Sequence, residues 1–305
     1  MTPGGGETAL RLGIAPSTEA DREPDPPAAW VYMLRCADGS LYSGWTSDLR
    51  RRLRAHNGGA HGARYTRAHG GGTLAYARRM ENKSAAMRRE AELKRMPKAE
   101  KEALAARWQA DSAATIRAAR PEDAPAIRAL YGWYVRHSTA TFQYGCPTEE
   151  EVRAEIERVW QSAPYLVAAG GDGRLQGYAC AHPWHTREAY AWNVELTVYC
   201  APDSVGQGVG RRLYTALLQV LKAQGYCNAI ALVAHPNPAS EAFHKALGFA
   251  RIGREPRTGY KFGRWLDLDY WMLPLRPGDG APDPVRLDPP GGVLEQALRQ
   301  VNCGG

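Results

Sequence analysis

The stretch that most constrains the fold of this chain is "TVYCAPDSVGQGVGRRLY", residues 197–214. It ends a run of β-type residues and begins a helical pattern, and Gly206, Gly208 and Gly210 lie between the two. Glycines at such a turn let the backbone approach a ligand closely, and the N–H groups at the start of a helix bind anions. The stretch therefore predicts a strand, a turn and a helix arranged to hold a phosphate-bearing group.

Two common phosphate-binding motifs do not fit this turn. A P-loop requires Lys followed by Ser or Thr after its last glycine, and here Arg211 and Arg212 follow. A dinucleotide-binding fingerprint has the spacing G-x-G-x-x-G and an acidic residue about twenty positions later, and the sequence has neither. The turn is then either the site of another phosphate-bearing group or an ordinary Gly-rich connection.

The positive charge of the chain is concentrated in one segment. Residues 29–105 carry 16 Lys and Arg against 7 Asp and Glu, whereas residues 1–28 carry 2 against 5. The remaining residues, 106–305, are balanced, with 21 against 20. This asymmetry is typical of a module that faces a polyanion and is joined to a neutral one, so we expect nucleic acid as a partner of the first module.

We predict an α+β protein with two domains, because 305 residues exceed one ordinary domain. The predicted divisions are a disordered arm at 1–28, a small α/β domain at 29–108, a larger domain at 114–275 with a mixed sheet flanked by helices, and a disordered Pro/Gly-rich tail at 276–305 that carries one short helix, "VLEQALRQV". The segment 109–113 is interpreted as a linker. No apolar run approaches the length of a membrane span, so we expect a soluble cytoplasmic protein with no membrane partner.

The cysteines and histidines do not suggest a metal site by their spacing. The six cysteines form no C-x-x-C pair, which argues against a zinc site or a disulfide framework. His182 and His185, in "HPWH", have a metal-like spacing but no neighbouring acid or third histidine in sequence. We therefore interpret both histidines as residues that do not bind metal.

Residues 116–273 resemble the GNAT superfamily of acetyl-CoA-dependent N-acetyltransferases, and more closely its phosphinothricin acetyltransferases. The resemblance rests on five stretches in the same order: "HSTATF", "AYAWNVELTVY", "GVGRRLYTALL", "PNPASEAFHKALGF" and "TGYKFGRWLDLDYW". It implies acetyl-CoA as co-substrate, held at its pyrophosphate by the glycine turn. Val205 stands where the family has Gln or Arg, so we expect weaker CoA binding rather than none.

Glu195 is the predicted general base of this domain. It is an acid in the otherwise apolar stretch "WNVELTVY", and burial raises the pKa of a carboxylate toward the range that suits proton transfer from an amine. The resemblance assigns the same role to this residue, and the alternative is a carboxylate paired with a nearby Arg. His244 is a candidate for handling the proton near the thiolate, with a packed helix histidine as the alternative.

Further contacts are implied by the resemblance. The residues expected against CoA are Thr197, Val198, Gly206, Gln207, Gly208, Val209, Gly210 and Asn237, where a helix-start role is the alternative for Asn237. The residues expected against the acceptor are Arg187, Tyr190, Tyr260 and Lys261. Cations and phenols of this kind fit an amino acid that bears a second anionic or strongly polar group.

Residues 30–104 resemble the small members of the GIY-YIG nuclease superfamily. The two namesake triplets correspond to "WVY" and "YSG", so Tyr32, Tyr42 and Gly44 match. By this resemblance Tyr32 and Tyr42 belong to the catalytic site, Arg52 stabilises phosphate charge and Glu90 binds Mg²⁺. A module that binds nucleic acid without cutting it fits the same residues. His56 is a candidate to assist the base, and we interpret it as a solvated helix histidine.

Two local signals in this domain predict element boundaries. Asp38-Gly39 predicts the turn of a β-hairpin, and Ser84 is the predicted N-cap of a helix that ends before Pro97.

The sequence thus predicts an N-acetyltransferase acting on a small polar amino acid or analogue, such as phosphinothricin or methionine sulfoximine or sulfone, fused to a nuclease-like module. The family resemblance suggests a homodimer formed through the acetyltransferase domain. The alternative is a Mg²⁺-dependent endonuclease or nucleic-acid-binding protein with an accessory acetyltransferase domain that modifies protein amines.

Overall fold

The computed structural model describes residues 16–23, 29–57, 72–112, 114–204, 207–276, 278, 280–287 and 292–303. The predicted arm at 1–28 therefore lies largely outside the described residues, as do Val205 and Gly206 of the glycine turn. No helix in these described ranges is both long and apolar enough to cross a membrane.

The described part of the first domain is a three-stranded antiparallel sheet with three helices. Its strands are β1 (Ala29–Cys36), β2 (Leu41–Thr46) and β3 (Gly72–Met80), in the order β2-β1-β3. Its helices are α1 (Leu49–Asn57), α2 (Lys83–Arg95) and α3 (Lys98–Ser112). The predicted hairpin at Asp38-Gly39 is confirmed, since Gly39 has a φ of 78°. A separate small core, which includes Val31, Met33 and Leu93, holds sheet and helices together.

Two details of this domain differ from the sequence prediction. Helix α2 is capped by Asn82, whose side chain accepts a hydrogen bond from the Ala85 amide at 2.9 Å, and not by the predicted Ser84. Asn82 has extended backbone geometry, whereas Ser84 already lies inside the first turn. The segment expected to be a linker, 109–113, is helical as far as Ser112, because α3 continues past the predicted boundary at 108.

The second domain is built on a seven-stranded mixed sheet, as predicted. Its strands are β4 (Thr115–Ala118), β5 (Tyr165–Ala169), β6 (Leu175–Pro183), β7 (Asn193–Cys200), β8 (Asn228–His235), β9 (Ala250–Lys261) and β10 (Arg264–Pro274). Their order is β4-β5-β6-β7-β8-β10-β9, and every neighbouring pair is antiparallel except β7 and β8. The single parallel pair marks the point where the chain crosses over through a helix.

Five helices cover this sheet. They are α4 (Ala124–His137), α5 (Glu149–Trp160), α6 (Val209–Gln224), α7 (Pro238–Ala246) and α8 (Val293–Cys303). Helices α4 and α5 pack on β6, and the long amphipathic α6 packs on β5, β6 and β7. The apolar residues of α6, among them Leu213 and Leu217, join one continuous core with the central strands.

The strands β7 and β8 pair only over their first three residues. The register joins Asn193 to Asn228, Val194 to Ala229 and Glu195 to Ile230. Both strands continue well beyond this point, to Cys200 and His235. Within the described residues no pairing joins them past Glu195, so the sheet opens into a cleft whose inner end is Glu195.

The described parts of the arm and of the tail contact the second domain, and the tail contains the predicted helix as α8. The Gly263 amide donates to the Ser17 carbonyl at 2.9 Å, and the Phe262 amide donates to the Ser17 hydroxyl at 3.3 Å. In the tail, α8 buries Ala297 and Val301 against the second domain.

The tail helix also closes an edge of the large sheet. The Asn302 side chain accepts from the Ile116 amide at 2.8 Å and donates to the Ile116 carbonyl at 2.9 Å. Ile116 lies on β4, the outermost strand on that side, whose backbone groups would otherwise face solvent. The described tail is therefore an integral part of the second domain.

Candidate active sites

Glu195 lies half-buried at the inner end of the cleft between β7 and β8. Burial raises the pKa of its carboxyl, and among the described residues no cation lies within ion-pair distance of it. The alternative interpretation, an Arg-paired carboxylate, therefore finds no partner in the described structure. A half-buried carboxylate with a raised pKa can accept a proton near neutral pH, so its chemistry suits a general base.

The described part of the glycine turn has the geometry of an anion cradle. Gly208 has a φ of 80° and precedes the first residue of α6, Val209. A Cβ on Gly210 would lie 3.3 Å from the Cys200 sulfur and 3.5 Å from the Phe243 ring. The absence of a side chain therefore lets the start of α6 pack closely against Cys200 and Phe243. The amide groups at the start of this 16-residue helix carry the positive end of its dipole.

The other predicted CoA contacts flank the cleft. Thr197 and Val198 lie on the diverging half of β7, opposite Cys180 and Ala179 of β6. The Gln207 side chain is turned back on the loop, where it donates to the Asp203 carbonyl at 2.8 Å. Residues with these positions can line a channel that runs from the glycine turn to Glu195.

Asn237 and His244 both have structural partners. The Asn237 side chain accepts from the Ser240 amide at 3.2 Å and so caps α7, as in the alternative considered from sequence. His244 is only 3% exposed, and its Nδ1 lies 2.9 Å from the Ser240 carbonyl. Because a carbonyl only accepts, Nδ1 carries the proton and Nε2 points toward the Tyr214 hydroxyl, 3.5 Å away.

Burial lowers the pKa of His244, so this histidine is neutral and packed among aromatic rings. The surrounding rings belong to Tyr214, Phe243 and Phe249, which lie 5.2 to 5.7 Å from it. A neutral Nε2 can accept the proton of Tyr214 but cannot donate one. Its catalytic assignment stays a prediction.

Lys261 does not fit its predicted role against the acceptor. The residue is 1% exposed, and its Nζ donates to the Ser138 and Thr141 carbonyls at 2.9 and 2.8 Å. Burial lowers the pKa of this ammonium from 10.5 to about 8. The side chain thus holds the loop after α4 against β9, and its charge is not available to a substrate.

Two of the remaining acceptor residues, Arg187 and Tyr190, lie at an aromatic cluster near the cleft. Tyr190 packs edge-on against His185, with ring centroids 4.7 Å apart, and Arg187 lies exposed on the same short segment. His185 contacts Trp184, which in turn packs at 89° against Tyr270. Burial raises the pKa of Tyr270 to about 12, together with the Glu255 carboxylate, to which the Tyr270 hydroxyl donates at 2.6 Å, and the Glu195 charge adds a smaller effect. The cluster therefore reaches from the predicted acceptor residues to the candidate base.

Trp184 and Tyr270 are members of this cluster that sequence reasoning missed. The sequence shows only that these aromatic residues lie in or directly after β-type stretches, "DYW" and "HPW". Tyr260, the fourth predicted acceptor residue, is half-buried and packs on the exposed Trp265, with centroids 5.3 Å apart. Its contacts leave its acceptor role a prediction.

In the first domain, Tyr32, Arg52 and His56 form a hydrogen-bonded chain. The Arg52 Nε donates to the Tyr32 hydroxyl oxygen at 3.1 Å, and this hydroxyl lies 2.8 Å from His56 Nε2. The hydroxyl can donate its own proton to His56 when the Nε2 of that ring is unprotonated. The Tyr42 ring lies 5.4 Å from His56 and 6.4 Å from Tyr32, and Arg52 also engages the Tyr42 hydroxyl.

The interpretation of His56 as a solvated helix residue is wrong. Its ring is 3% exposed, and burial together with the Arg52 charge lowers its pKa to about 4. The residue follows Arg52 by four positions on α1, so both side chains lie on one helix face. That spacing was the signal in the sequence. A neutral imidazole beside a phenol can accept the phenolic proton.

Tyr32 itself is fully buried, and this burial raises its pKa to about 12 despite the opposing effect of Arg52. Gly44 on β2 pairs with Tyr32 on β1, and a Cβ on Gly44 would lie 2.7 Å from the Tyr32 hydroxyl oxygen. The glycine of the second triplet therefore makes room for the tyrosine of the first. Without a glycine, the Tyr32 hydroxyl could not keep its place between Arg52 and His56.

Glu90 lies close enough to Tyr32 for its charge to contribute to raising the Tyr32 pKa. Its carboxylate is 17% exposed and forms an ion pair with Lys94 at 3.0 Å, one turn along α2. A single carboxylate fits Mg²⁺, because this ion keeps several waters and completes its shell with phosphate oxygens. The residues present are thus compatible with the predicted metal.

Comparison with known proteins matches both domains. Residues 116–269 match the model of the acetyltransferase (GNAT) domain, and residues 28–103 match that of the GIY-YIG catalytic domain. A phosphinothricin N-acetyltransferase of Alcaligenes faecalis is 42% identical over 169 residues, which are 55% of this chain and 85% of that protein. An L-methionine sulfoximine/L-methionine sulfone acetyltransferase of Pseudomonas aeruginosa is 37% identical over 175 residues, 55% of this chain and 99% of the relative.

Solved structures give the same result for the second domain. A GNAT superfamily phosphinothricin acetyltransferase from Sinorhizobium meliloti, in complex with AcCoA, superposes with a TM-score of 0.52 at 34% identity, covering 53% of this chain and 88% of that one. An N-acetyltransferase from Staphylococcus aureus has a TM-score of 0.52 at 31% identity, covering 53% and 99%. The chain therefore belongs to the GNAT acetyltransferase family, and it carries a GIY-YIG catalytic domain on the N-terminal side of its acetyltransferase domain.

Proposed function

We propose that the second domain transfers an acetyl group from acetyl-CoA to the amine of a small polar amino acid or analogue, of the phosphinothricin or methionine sulfoximine and sulfone type. The observation that carries this proposal is the cleft between β7 and β8, which has the glycine turn on one side and Glu195 at its inner end. The relatives that act on such acceptors share one third or more of their residues with this domain.

Each residue of the cleft has a role in this reaction. The amides at the start of α6 and the bare backbone at Gly208 and Gly210 bind the diphosphate of the co-substrate. Acetyl-CoA supplies the activated acyl group. Glu195 accepts the proton that the acceptor ammonium must lose before its nitrogen can attack, and the raised pKa of this carboxyl suits that transfer. The aromatic cluster of Trp184, Tyr190 and Tyr270 orients the acceptor.

The direct test measures CoA-thiol release from acetyl-CoA with a panel of acceptors. The panel contains phosphinothricin, methionine sulfoximine, methionine sulfone, ordinary amino acids, polyamines and a basic peptide. Turnover with the first three acceptors supports the proposal. Turnover with the peptide alone would overturn it in favour of protein acetylation, and turnover with polyamines alone would change the acceptor class.

A second candidate function, nuclease activity of the first domain, is favoured by the chain of Tyr32, Arg52 and His56. In this proposal the Tyr32 oxygen takes a proton from the attacking water as its own proton passes to His56, and Arg52 neutralises phosphate charge. Glu90 would hold Mg²⁺, which supplies further charge neutralisation at the scissile phosphate. We expect Arg52→Ala and Glu90→Ala each to abolish Mg²⁺-dependent nicking of DNA. Nicking that persists in both variants would come from a contaminating nuclease and would overturn the assignment.

A further inference from the structure

Three side chains of types that bind metal ions meet between β6 and α5 in the second domain. Cys180 and His182 are two positions apart on β6, so they point to the same face of the sheet. The Cys180 sulfur lies 3.3 Å from His182 Nε2, and Glu155 Oε1, from α5, lies 3.5 Å from the same nitrogen. The three ligand atoms all lie within 4.8 Å of one another.

These distances fit the edges of a metal coordination shell. Around a tetrahedral Zn²⁺ ion, sulfur, nitrogen and oxygen ligands at ordinary bond lengths of about 2.0 to 2.3 Å lie roughly 3.3 to 3.6 Å apart. Hydrogen bonding explains only part of the arrangement, because the thiol, which also bonds the Tyr165 hydroxyl, and the carboxylate approach one nitrogen. That nitrogen, when neutral, is either one donor or one acceptor and cannot serve both partners well.

The surroundings leave one side of the cluster open. Cys180 is fully buried, whereas the side chains of His182 and Glu155 are 26% and 34% exposed. Glu195 lies directly opposite His182 in the register of β6 and β7, so its side chain is on the same face. An ion can therefore enter past His182 and Glu155.

We propose that Glu155, Cys180 and His182 form a three-ligand site for a transition-metal ion of the Zn²⁺ type, with a fourth position open to water. A thiolate and an imidazole select such an ion over Mg²⁺ or Ca²⁺, which prefer oxygen ligands only. On binding, the Cys180 thiol releases its proton to solvent and a metal–sulfur bond forms, with no change of oxidation state. The proposal reverses the sequence-based interpretation of His182 as a residue that does not bind metal. The sequence did not reveal this site, because the acid lies on a helix 25 residues before the cysteine.

A second group of metal-binding residue types, His235, Glu241 and Asp269, is a weaker candidate. Both oxygens of Asp269 already accept from Arg254, at 2.6 and 2.8 Å. A metal ion would have to displace this guanidinium from a carboxylate that is 1% exposed. This group therefore serves as the control for the proposed site.

The test is a Co²⁺ titration of the full chain carrying Cys303→Ser, which removes the exposed thiol. We expect one equivalent of Co²⁺ to produce a thiolate-to-cobalt charge-transfer band in the near ultraviolet, and Zn²⁺ to displace it. Adding Cys180→Ser should abolish the band, and His182→Ala or Glu155→Gln should weaken binding by about tenfold or more. His235→Ala is the matched control and should keep the band.

Two results would overturn the proposal. One is the absence of the charge-transfer band in the Cys303→Ser protein at saturating Co²⁺. The other is a band of full amplitude and unchanged affinity in the Cys180→Ser or Glu155→Gln variant. Thermal unfolding of each variant shows whether it is folded, and His182→Asn replaces His182→Ala if the latter is not. Since the titration contains no acyl donor, its result is independent of the acetyl-transfer proposal.

Discussion

The two candidate active sites of this chain are assembled in different ways. In the first domain Tyr32, Arg52 and His56 touch one another through hydrogen bonds of 2.8 and 3.1 Å. In the second domain Glu195 stands without an ion-pair partner among the described residues, at the end of a cleft that exists because two strands diverge. The first site is thus defined by side-chain contacts, and the second by backbone geometry that leaves space for a large co-substrate.

This difference predicts which substitutions should reduce activity most in each site. In the first site, which we call contact-built because its side chains hydrogen-bond to one another, each residue supports the position of the others. Removal of one hydroxyl therefore disturbs the whole chain of hydrogen bonds. In the second site, which lies in a cleft between two strands, a single reactive group accepts the proton, while its neighbours bind and orient the reactants.

The largest expected effect follows from changing the one reactive group of the cleft. Glu195→Gln keeps the shape of the side chain but removes its ability to accept a proton. We expect acetyl transfer to fall by about 10²- to 10⁴-fold while CoA binding persists. Measured kcat/KM and the Kd of CoA check this, with the exposed Glu150→Gln on α5 as the control.

The pH profile sharpens the same prediction. Because burial raises the pKa of Glu195, the activity of the unmodified protein should rise with pH through a value above the ordinary range of a glutamate. Glu195→Gln should lose this rise. Unchanged turnover in the variant would remove Glu195 from the mechanism.

A smaller but still large effect is expected in the contact-built site. Tyr32→Phe retains the buried ring and removes the hydroxyl that links Arg52 to His56. We expect Mg²⁺-dependent DNA nicking to fall by about 10²-fold or more. Tyr76→Phe, another buried tyrosine of the same sheet, is the control. Equal nicking by the two variants would contradict the proposed role of Tyr32.

Lys261 gives a prediction about stability rather than catalysis. The folded protein lowers the pKa of this ammonium from 10.5 to about 8, so between these pH values the unfolded chain binds more protons than the folded one. Stability should therefore rise with pH across this window, by about 1 to 3 kcal/mol for this group. Lys261→Met should remove that rise.

Urea denaturation at pH 7.5 and pH 9.5 gives the free energy of unfolding of each protein at both pH values. The effect is the rise in this free energy for the unmodified protein minus the rise for Lys261→Met. The same variant tests the acceptor assignment, because a lysine held by two backbone carbonyls should contribute little to acceptor KM. A large rise in KM would restore the substrate-binding role that the buried position argues against.

The sequence predicted the two domains and most elements, because hydrophobic periodicity and turn residues are local signals. It also singled out Glu195 as the predicted base, since one acid in an apolar strand is conspicuous, and this role stays a prediction. It did not predict that Lys261 is buried or that Glu155 meets Cys180 and His182, because those contacts depend on how distant elements pack. His56 was misread although its spacing from Arg52 was visible, since the burial of α1 against the sheet is not a local property.

The smallest expected effect distinguishes the observed cap of α2 from the one that local sequence suggested. Asn82→Ala removes the side chain that accepts from the Ala85 amide at 2.9 Å, and should cost about 1 kcal/mol of the free energy of unfolding of the first domain. Ser84→Ala is the matched control. It changes an exposed residue within the first turn, where alanine is the better helix former, and should be neutral or slightly stabilising. Urea denaturation followed by circular dichroism measures both, and a larger loss for Ser84→Ala would assign the cap to Ser84 instead.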